Sequence, residues 1–297
     1  MSSQTTIIVA GYPKSGNTWL AKMLCQIFTA KMVDDDEDHA EVNARMLNTN
    51  LSNTRVIKSH LLPEDLFKKY PSEDFKVFYV YRDVRDVSIS AFFYFVRPGD
   101  KYLSNVDGYN ESVVHLRNPD DYTAGKQKIK NYILEFVAHG IKSIPHLLTW
   151  DKHIDHWQKW ASNRNDIVFV SYEDLKRQTA FILEKSIAGF NLKEIQTISV
   201  ADAVEAENFE KLKTKFQSEQ NTKQFQFLRK GTSGDWKNYY TKQIGEAVNN
   251  SAGEKLQQLG YETDRNWVSQ LPNEKMKPET VSEIALYLKL KLRQFIK

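Results

Sequence analysis

The sequence predicts an α/β fold: one domain with a central parallel sheet of about five strands flanked by helices. Three observations carry that expectation. Short apolar runs alternate with helical patterns along the chain, the order of elements found where helices cover a parallel sheet. The first apolar run, Thr6–Ala10, feeds directly into a glycine turn, Gly11-Tyr-Pro-Lys-Ser-Gly16, and then into a helix. Cationic and hydroxyl side chains stand just after several of the apolar runs, and ligands of parallel sheets bind beyond the carboxyl ends of the strands.

Each element has a local reason. Thr6-Ile-Ile-Val-Ala10 is a continuous apolar run of strand length, as expected of a strand buried on both faces. Thr18–Thr29 carries helical spacing. The acidic stretch Asp34-Asp-Asp-Glu-Asp38 reads as a solvated loop. Arg55-Val-Ile-Lys58 is the next strand, ending at Ser59-His60, and Lys76-Val-Phe-Tyr-Val-Tyr81 is a third, followed by a helix over Asp83–Phe95. Residues 97–124 hold Pro, Gly, Asn and Asp without a period and read as a long loop or lid. Helices are expected over Lys126–His139 and Ile154–Ala161, and Asp166-Ile-Val-Phe-Val-Ser171 is a fourth strand. The segments beyond it are mostly helical, with a break at Arg229–Gly234 and a basic, helical tail at Pro278–Lys297.

A chain of 297 residues can bury a full core as one large α/β domain or two small ones. Its formal net charge of +3 argues against a general nucleic-acid binder. The single cysteine, Cys25, excludes an intrachain disulfide; burial on the first helix is its simplest explanation, and a reducing, cytoplasmic setting fits. Thr6–Ala10 is too short for a signal peptide or a membrane span, so membrane insertion is not expected.

A strand, a glycine turn and a helix start form an anion site, because backbone N–H groups and the positive end of the helix dipole meet in the turn. The spacing Gly11-x4-Gly16 is that of an ATP-type phosphate loop, which continues Gly-Lys-Ser/Thr. Here Asn17 and Thr18 follow Gly16, and the lysine lies inside the loop as Lys14. The cradle suits a phosphate but not a γ-phosphate beside magnesium. Lys58-Ser59-His60 follows the second predicted strand, and Arg82 follows the third, with Ser90 on the helix beyond. Arginine grips a phosphate with a planar fork and serine adds a hydroxyl. Arg229-Lys-Gly-Thr-Ser-Gly-Asp-Trp-Lys-Asn238 sets two cations beside glycines, where backbone amides can approach a phosphate closely. Together these segments suit a ligand with two separated phosphate-like groups.

The segments Tyr-Pro-Lys-Ser-Gly-Asn-Thr-Trp, Lys-Ser-His-Leu, Tyr-Arg-Asp-Val-Arg-Asp-Val-Ser-Ile-Ser, Tyr172-Glu-Asp-Leu175 and Arg-Lys-Gly-Thr-Ser-Gly-Asp-Trp-Lys-Asn occur in that order. In this the chain resembles the soluble, cytosolic-type sulfotransferases, which move a sulfuryl group from 3′-phosphoadenosine 5′-phosphosulfate (PAPS) to a hydroxyl or amine. The resemblance implies one domain over 1–297, its motif-bearing part at about 5–270 and the tail at 278–297. It implies that Lys14, Ser15, Gly16, Asn17 and Thr18 hold the 5′-phosphosulfate, and that Trp19, Tyr172 and Phe209 contact the adenine. Arg82, Ser90, Arg229, Lys230 and the amide of Gly231 would take the 3′-phosphate. His60 would be the catalytic base, with Lys14 at the leaving oxygen and Lys58 at the sulfuryl oxygens. In-line sulfuryl transfer needs such a base and such cations, and no metal is required. The product would be 3′-phosphoadenosine 5′-phosphate (PAP).

Each residue also has a plainer explanation. A histidine at a strand end can be a hydrogen-bonded surface residue, Arg82 and Ser90 a salt bridge and a buried hydroxyl, and Trp19 and Tyr172 core aromatics. His153 and His156 have a spacing that permits a metal, but further ligands are missing, so no metal site is expected. His153 matches a pocket-lining histidine of the resembled family and is a candidate acceptor contact. Asp34 and Asp35 are candidates to attract a cationic acceptor. The family's dimer contact, Lys-x-x-x-Thr-Val-x-x-x-Glu, is matched by Lys237, Thr241 and Glu246, but Lys242 replaces the valine and puts that dimer in question. Partners are expected to be a small-molecule acceptor and no nucleic acid. Two competitors stay open: a nucleotide or small-molecule kinase on the same loop, and a non-catalytic module that binds PAPS or PAP.

Overall fold

A computed structural model describes residues 5–34, 54–71, 75–95, 122–142, 144, 146–219 and 231–273. Asp35 and the rest of the acidic run, residues 97–121 of the expected lid, Arg229, Lys230 and the basic tail lie outside the described residues. The described chain clusters into two compact units, one of residues 1–82 and 154–231, the other of residues 83–153 and 232–297.

The first unit holds a five-stranded, all-parallel sheet. Its strands are β1 (Thr5–Gly11), β2 (Lys31–Asp34), β3 (Thr54–Ser59), β4 (Phe75–Tyr81) and β5 (Ile167–Ser171), in the spatial order β2-β3-β1-β4-β5. Ile7, Ile8, Val9, Val56, Ile57, Val77, Phe78 and Tyr79 have no exposed surface, which explains why the strands read as apolar runs rather than as alternating ones. Helix α1 (Asn17–Phe28) buries Leu20, Leu24, Ile27 and Phe28 in one core with Ile7, Val9, Val56, Phe78 and Val80. Each such side chain contributes about 1.5–3 kcal/mol of burial. Elsewhere in this unit Tyr79 meets Trp157 and Phe169 at ring separations of 5.3 and 5.0 Å, and Phe67 of α2 (Pro63–Lys69) stacks on Trp160 at 4.9 Å.

The order of strands makes β1 a switch point: the chain leaves β1 toward β2 on one side and crosses after β3 to β4 on the other. The strands are parallel, so Gly11, Asp34, Ser59, Tyr81 and Ser171 all finish at one edge of the sheet.

The second unit contains α3 (Val84–Phe95), α4 (Tyr122–His139) and α10 (Lys242–Gln258). Phe92 meets Tyr132 at 5.5 Å, Phe93 meets Tyr239 at 5.8 Å, and Trp236 meets Trp267 at 5.6 Å. The remaining helices are α5 (Trp150–Ala161), α6 (Tyr172–Arg177), α7 (Thr179–Gly189), α8 (Val200–Ala206) and α9 (Phe209–Ser218).

The α/β class and the five parallel strands agree with the sequence expectation. Two local expectations need correction. Residues 122–124 open α4 rather than close a loop. Asp34 is not solvated loop but the last residue of β2, a strand the sequence pattern did not reveal.

Candidate active site

The glycine turn is built as the sequence suggests. The Ser15 amide donates to the Tyr12 carbonyl at 3.2 Å, Lys14 holds φ 70°, and Gly16 caps α1 in the left-handed region at φ 106°. A left-handed non-glycine residue costs on the order of 1 kcal/mol, a strain typical of ligand-holding loops. No side chain caps α1 and no acidic residue sits in its first turn, so its positive end is left for a ligand. At Gly16 a Cβ would stand 2.6 Å from Cδ2 of Tyr172, so the turn and the aromatic ring fit only without a side chain there.

Within the turn, Ser15 Oγ and both amide atoms of Asn17 are buried and have no hydrogen-bond partner among the described residues. Such groups cost about 1–3 kcal/mol each when left unmade. A hydroxyl and an amide that can both donate, at an uncapped helix start with Lys14 in the loop, fit an oxyanion such as a phosphate.

His60 follows β3. Its Nδ1 lies 2.8 Å from the carbonyl oxygen of Gly11, the last residue of β1. A carbonyl can only accept, so Nδ1 carries the proton and, in the neutral ring, Nε2 is the nitrogen with the lone pair. The imidazole is thus held in one tautomer by the backbone of the strand that leads into the glycine turn. Two residues earlier, Lys58 pairs with Asp34 at 2.5 Å.

Arg82, buried after β4, lies over the Tyr172 ring with its guanidinium carbon 4.4 Å from the centroid. Tyr172 opens α6 after β5, whose last residue Ser171 caps that helix by accepting from the Asp174 amide at 3.2 Å. Trp19 meets Tyr172 edge-on at 6.1 Å and donates from Nε1 to the Glu207 carbonyl at 3.1 Å. Phe209 lies against Gly231, where a Cβ would stand 2.6 Å from the ring, and Lys176 donates to the Gly231 carbonyl. Thus Lys14–Trp19, Lys58, His60, Arg82 and Tyr172 stand at or just beyond one sheet edge, while Phe209 and Gly231 meet each other in the same unit.

Glu207 itself is buried, with Oε1 3.5 Å from the Gln26 amide nitrogen and Oε2 without a partner among the described residues. Burial raises its carboxyl above the usual range, against the smaller pull of Lys22, Gln26 and Lys215. Burial, with Glu207 behind it, also pushes the Cys25 thiol up to about 12.

In the second unit Ser90 is half-buried on α3, and His153 is fully buried on α5. The same unit holds a polar cluster that sequence reasoning passed over. Arg85 forks onto Asp83 through Nε and Nη2, at 2.9 and 2.7 Å, and pairs with Glu262 through Nη1. Its guanidinium lies 4.0 Å from the Trp236 ring centroid and 4.6 Å from that of Trp267. Burial alone would lower its pKa, but Asp83 and Glu262 raise it overall. The Asp86 carboxylate accepts from the amides of Gly234 and Trp236 at 2.6 and 3.1 Å, tying down the glycine-bearing segment that follows Gly231. The signal was present in Asp83-Val-Arg-Asp86: two acids and an arginine at a helix start next to apolar residues are more than a helix opening needs.

Among the described residues no group of three or more His, Cys, Asp or Glu could hold a metal, and no helix is long and apolar enough to cross a membrane. The chain matches the sulfotransferase domain family over residues 4–260. It is 28% identical to human sulfotransferase 2A1 over 273 residues, 86% of each chain, and 24% identical to human sulfotransferase 1E1 over 263 residues, 81% of this chain and 80% of that one. Among solved structures it is similar to mouse sulfotransferase SULT7A1 complexed with PAP, with a TM-score of 0.63 and 18% identity over 90% of this chain and 88% of that one. It is also similar to retinol dehydratase in complex with androsterone and inactive cofactor PAP, with a TM-score of 0.55 and 16% identity over 86% and 82% of the two chains. A glycine turn before an uncapped helix, a backbone-held histidine and a buried arginine on a five-stranded parallel sheet therefore agree with the match over nearly the whole length: the chain belongs to the sulfotransferase family.

Proposed function

We propose that the protein transfers a sulfuryl group from PAPS to a hydroxyl, or next an amine, of a small-molecule acceptor, with His60 as general base. The observation that carries this reading is the bond between His60 Nδ1 and the Gly11 carbonyl, which leaves Nε2 able to take a proton. The orphaned polar atoms of Ser15 and Asn17 support the donor assignment. So do the PAP-bound relatives. When bound, PAPS supplies the sulfuryl group and leaves as PAP.

The chain's own residues have separate tasks. Lys14, Ser15, Gly16, Asn17 and Thr18 hold the 5′-phosphosulfate by charge, hydroxyl and amide donors. Lys14 faces the oxygen that gains charge on leaving, and Lys58 the sulfuryl oxygens. Trp19, Tyr172 and Phe209 flank the adenine, their apolar faces excluding water. Arg82 and the Gly231 amide would receive the 3′-phosphate, as the resemblance implies, and it implies the same of Ser90, Arg229 and Lys230 by sequence alone. His60 orients the acceptor through Nε2 and takes its proton. His153 remains, by resemblance alone, the candidate acceptor contact.

Isothermal titration of the full chain with PAP, ADP and ATP in the absence of magnesium tests the reading. Preferential binding of the 3′-phosphorylated nucleotide, lost in Arg82→Ala, is the expected result. Equal binding of all three, or preference for ATP, overturns the donor assignment and favours a kinase. PAP binding with no transfer to any hydroxyl or amine acceptor overturns the catalytic part and leaves a binding module.

A further inference from the structure

Strand β2 is only four residues long, and its last residue, Asp34, stands opposite Lys58 in the parallel register with β3. The two side chains meet at 2.5 Å, with Lys58 20% and Asp34 39% exposed. Sheet pairing fixes where the lysine stem begins, and the carboxylate fixes where the ammonium ends. An ammonium has three N–H donors. The ion pair with Asp34 engages one side of it, and an ammonium so placed can still donate to an anion.

We infer that Asp34 is a specificity-determining counter-charge: it holds the Lys58 ammonium in place and weakens its grip on the sulfuryl group in the ground state. The inference rests on Lys58 being the lysine that meets that group. An unopposed ammonium would attract the sulfuryl oxygens before and during transfer alike, and such uniform binding lowers KM without raising kcat. A carboxylate beside it takes up part of that charge, so its effect on the donor runs through the ammonium. Asp34 thereby sets how far the site prefers PAPS, which carries the sulfuryl group, over PAP, which does not. It assigns Asp34 to the donor rather than to a cationic acceptor.

Titrating PAPS and PAP separately into the full chain, with thermal melting to confirm folding, reads the preference directly. Asp34→Asn is expected to raise the preference for PAPS about 2–5-fold, the scale of a partly exposed ion pair, with PAP affinity unchanged. Asp34→Glu should restore the wild-type ratio. Lys58→Met should lower the preference, and the double variant should match Lys58→Met, because Asp34 acts through Lys58. A loss of PAP and PAPS affinity in equal measure, or the same Asp34→Asn effect in the Lys58→Met background, overturns the inference alone. Failure of the wild-type chain to bind PAP overturns the donor reading, and this inference falls with it.

Discussion

The phosphate turn and the Asp83–Arg85–Asp86 cluster are both buried, polar and close to a helix start, yet they are finished differently. In the cluster every carboxylate oxygen of Asp83 and Asp86 accepts a hydrogen bond, and Arg85 is enclosed by two acids and two indole rings. In the turn, Ser15 Oγ and the Asn17 amide have no partner among the described residues. Buried polar groups are normally satisfied, so the difference separates residues that hold the chain together from residues that wait for something outside it. Stability and activity should therefore respond in opposite ways to substitutions in the two places.

The largest expected effect belongs to the reacting side. His60→Ala should lower sulfuryl transfer about 10²–10⁴-fold, with PAP affinity and melting temperature nearly unchanged, as read by steady-state rates, titration and thermal melting. Next is the cluster. Arg85→Met should cost about 3–5 kcal/mol in denaturant unfolding, because Asp83 and Glu262 lose their counter-charge. If Arg85→Met unfolds like the wild type, the contrast drawn here is wrong. Ser15→Ala sharpens it from the other side. It removes a buried hydroxyl with no partner among the described residues, so the ligand-free chain should gain about 1–3 kcal/mol. PAP affinity should fall about 2–10-fold, the net worth of one hydrogen bond.

The smallest effect concerns Glu207, whose backbone carbonyl accepts from Trp19 and whose Oε2 has no partner among the described residues. Burial raises its carboxyl in the folded state, so between the unfolded value of 4.5 and the raised folded value the folded chain binds the extra proton. Stability conferred by this group is therefore present below the unfolded value and lost as pH rises through the folded one. Glu207→Gln should raise the melting temperature at about pH 8 by roughly 1–3 °C and leave it unchanged near pH 4. A gain of equal size at both pH values would show that charge burial is not the cause.

Legibility followed the range of the physics involved. Four of the five strands were visible because a strand buried on both faces must be apolar throughout, as in Thr6–Ala10 and Lys76–Tyr81. β2 was hidden because Lys31-Met-Val-Asp34 has a charge at each end and runs into an acidic stretch. The glycine turn before α1 was legible because its glycines act locally. The site's long-range contacts were not: His60 reaches a carbonyl 49 residues away, and Arg82 meets Tyr172 through the pairing of β4 with β5. Such meetings depend on strand order and register, which no local pattern encodes. The roles of Asp83 and Asp86 were missed for the same reason, since the amides held by Asp86 lie 148 and 150 residues away.

The carbonyl of Gly11 ends the first strand and at the same time fixes the imidazole of His60. A Cβ at that position would stand 2.3 Å from the Val80 carbonyl oxygen, so the strand end is pressed against β4 and has no room to drift. The glycine turn and the imidazole consequently share one mechanical origin. If His60 is the base and the turn holds the donor, as proposed, a ligand that reshapes the turn would re-aim the imidazole in the same movement, through a single backbone oxygen.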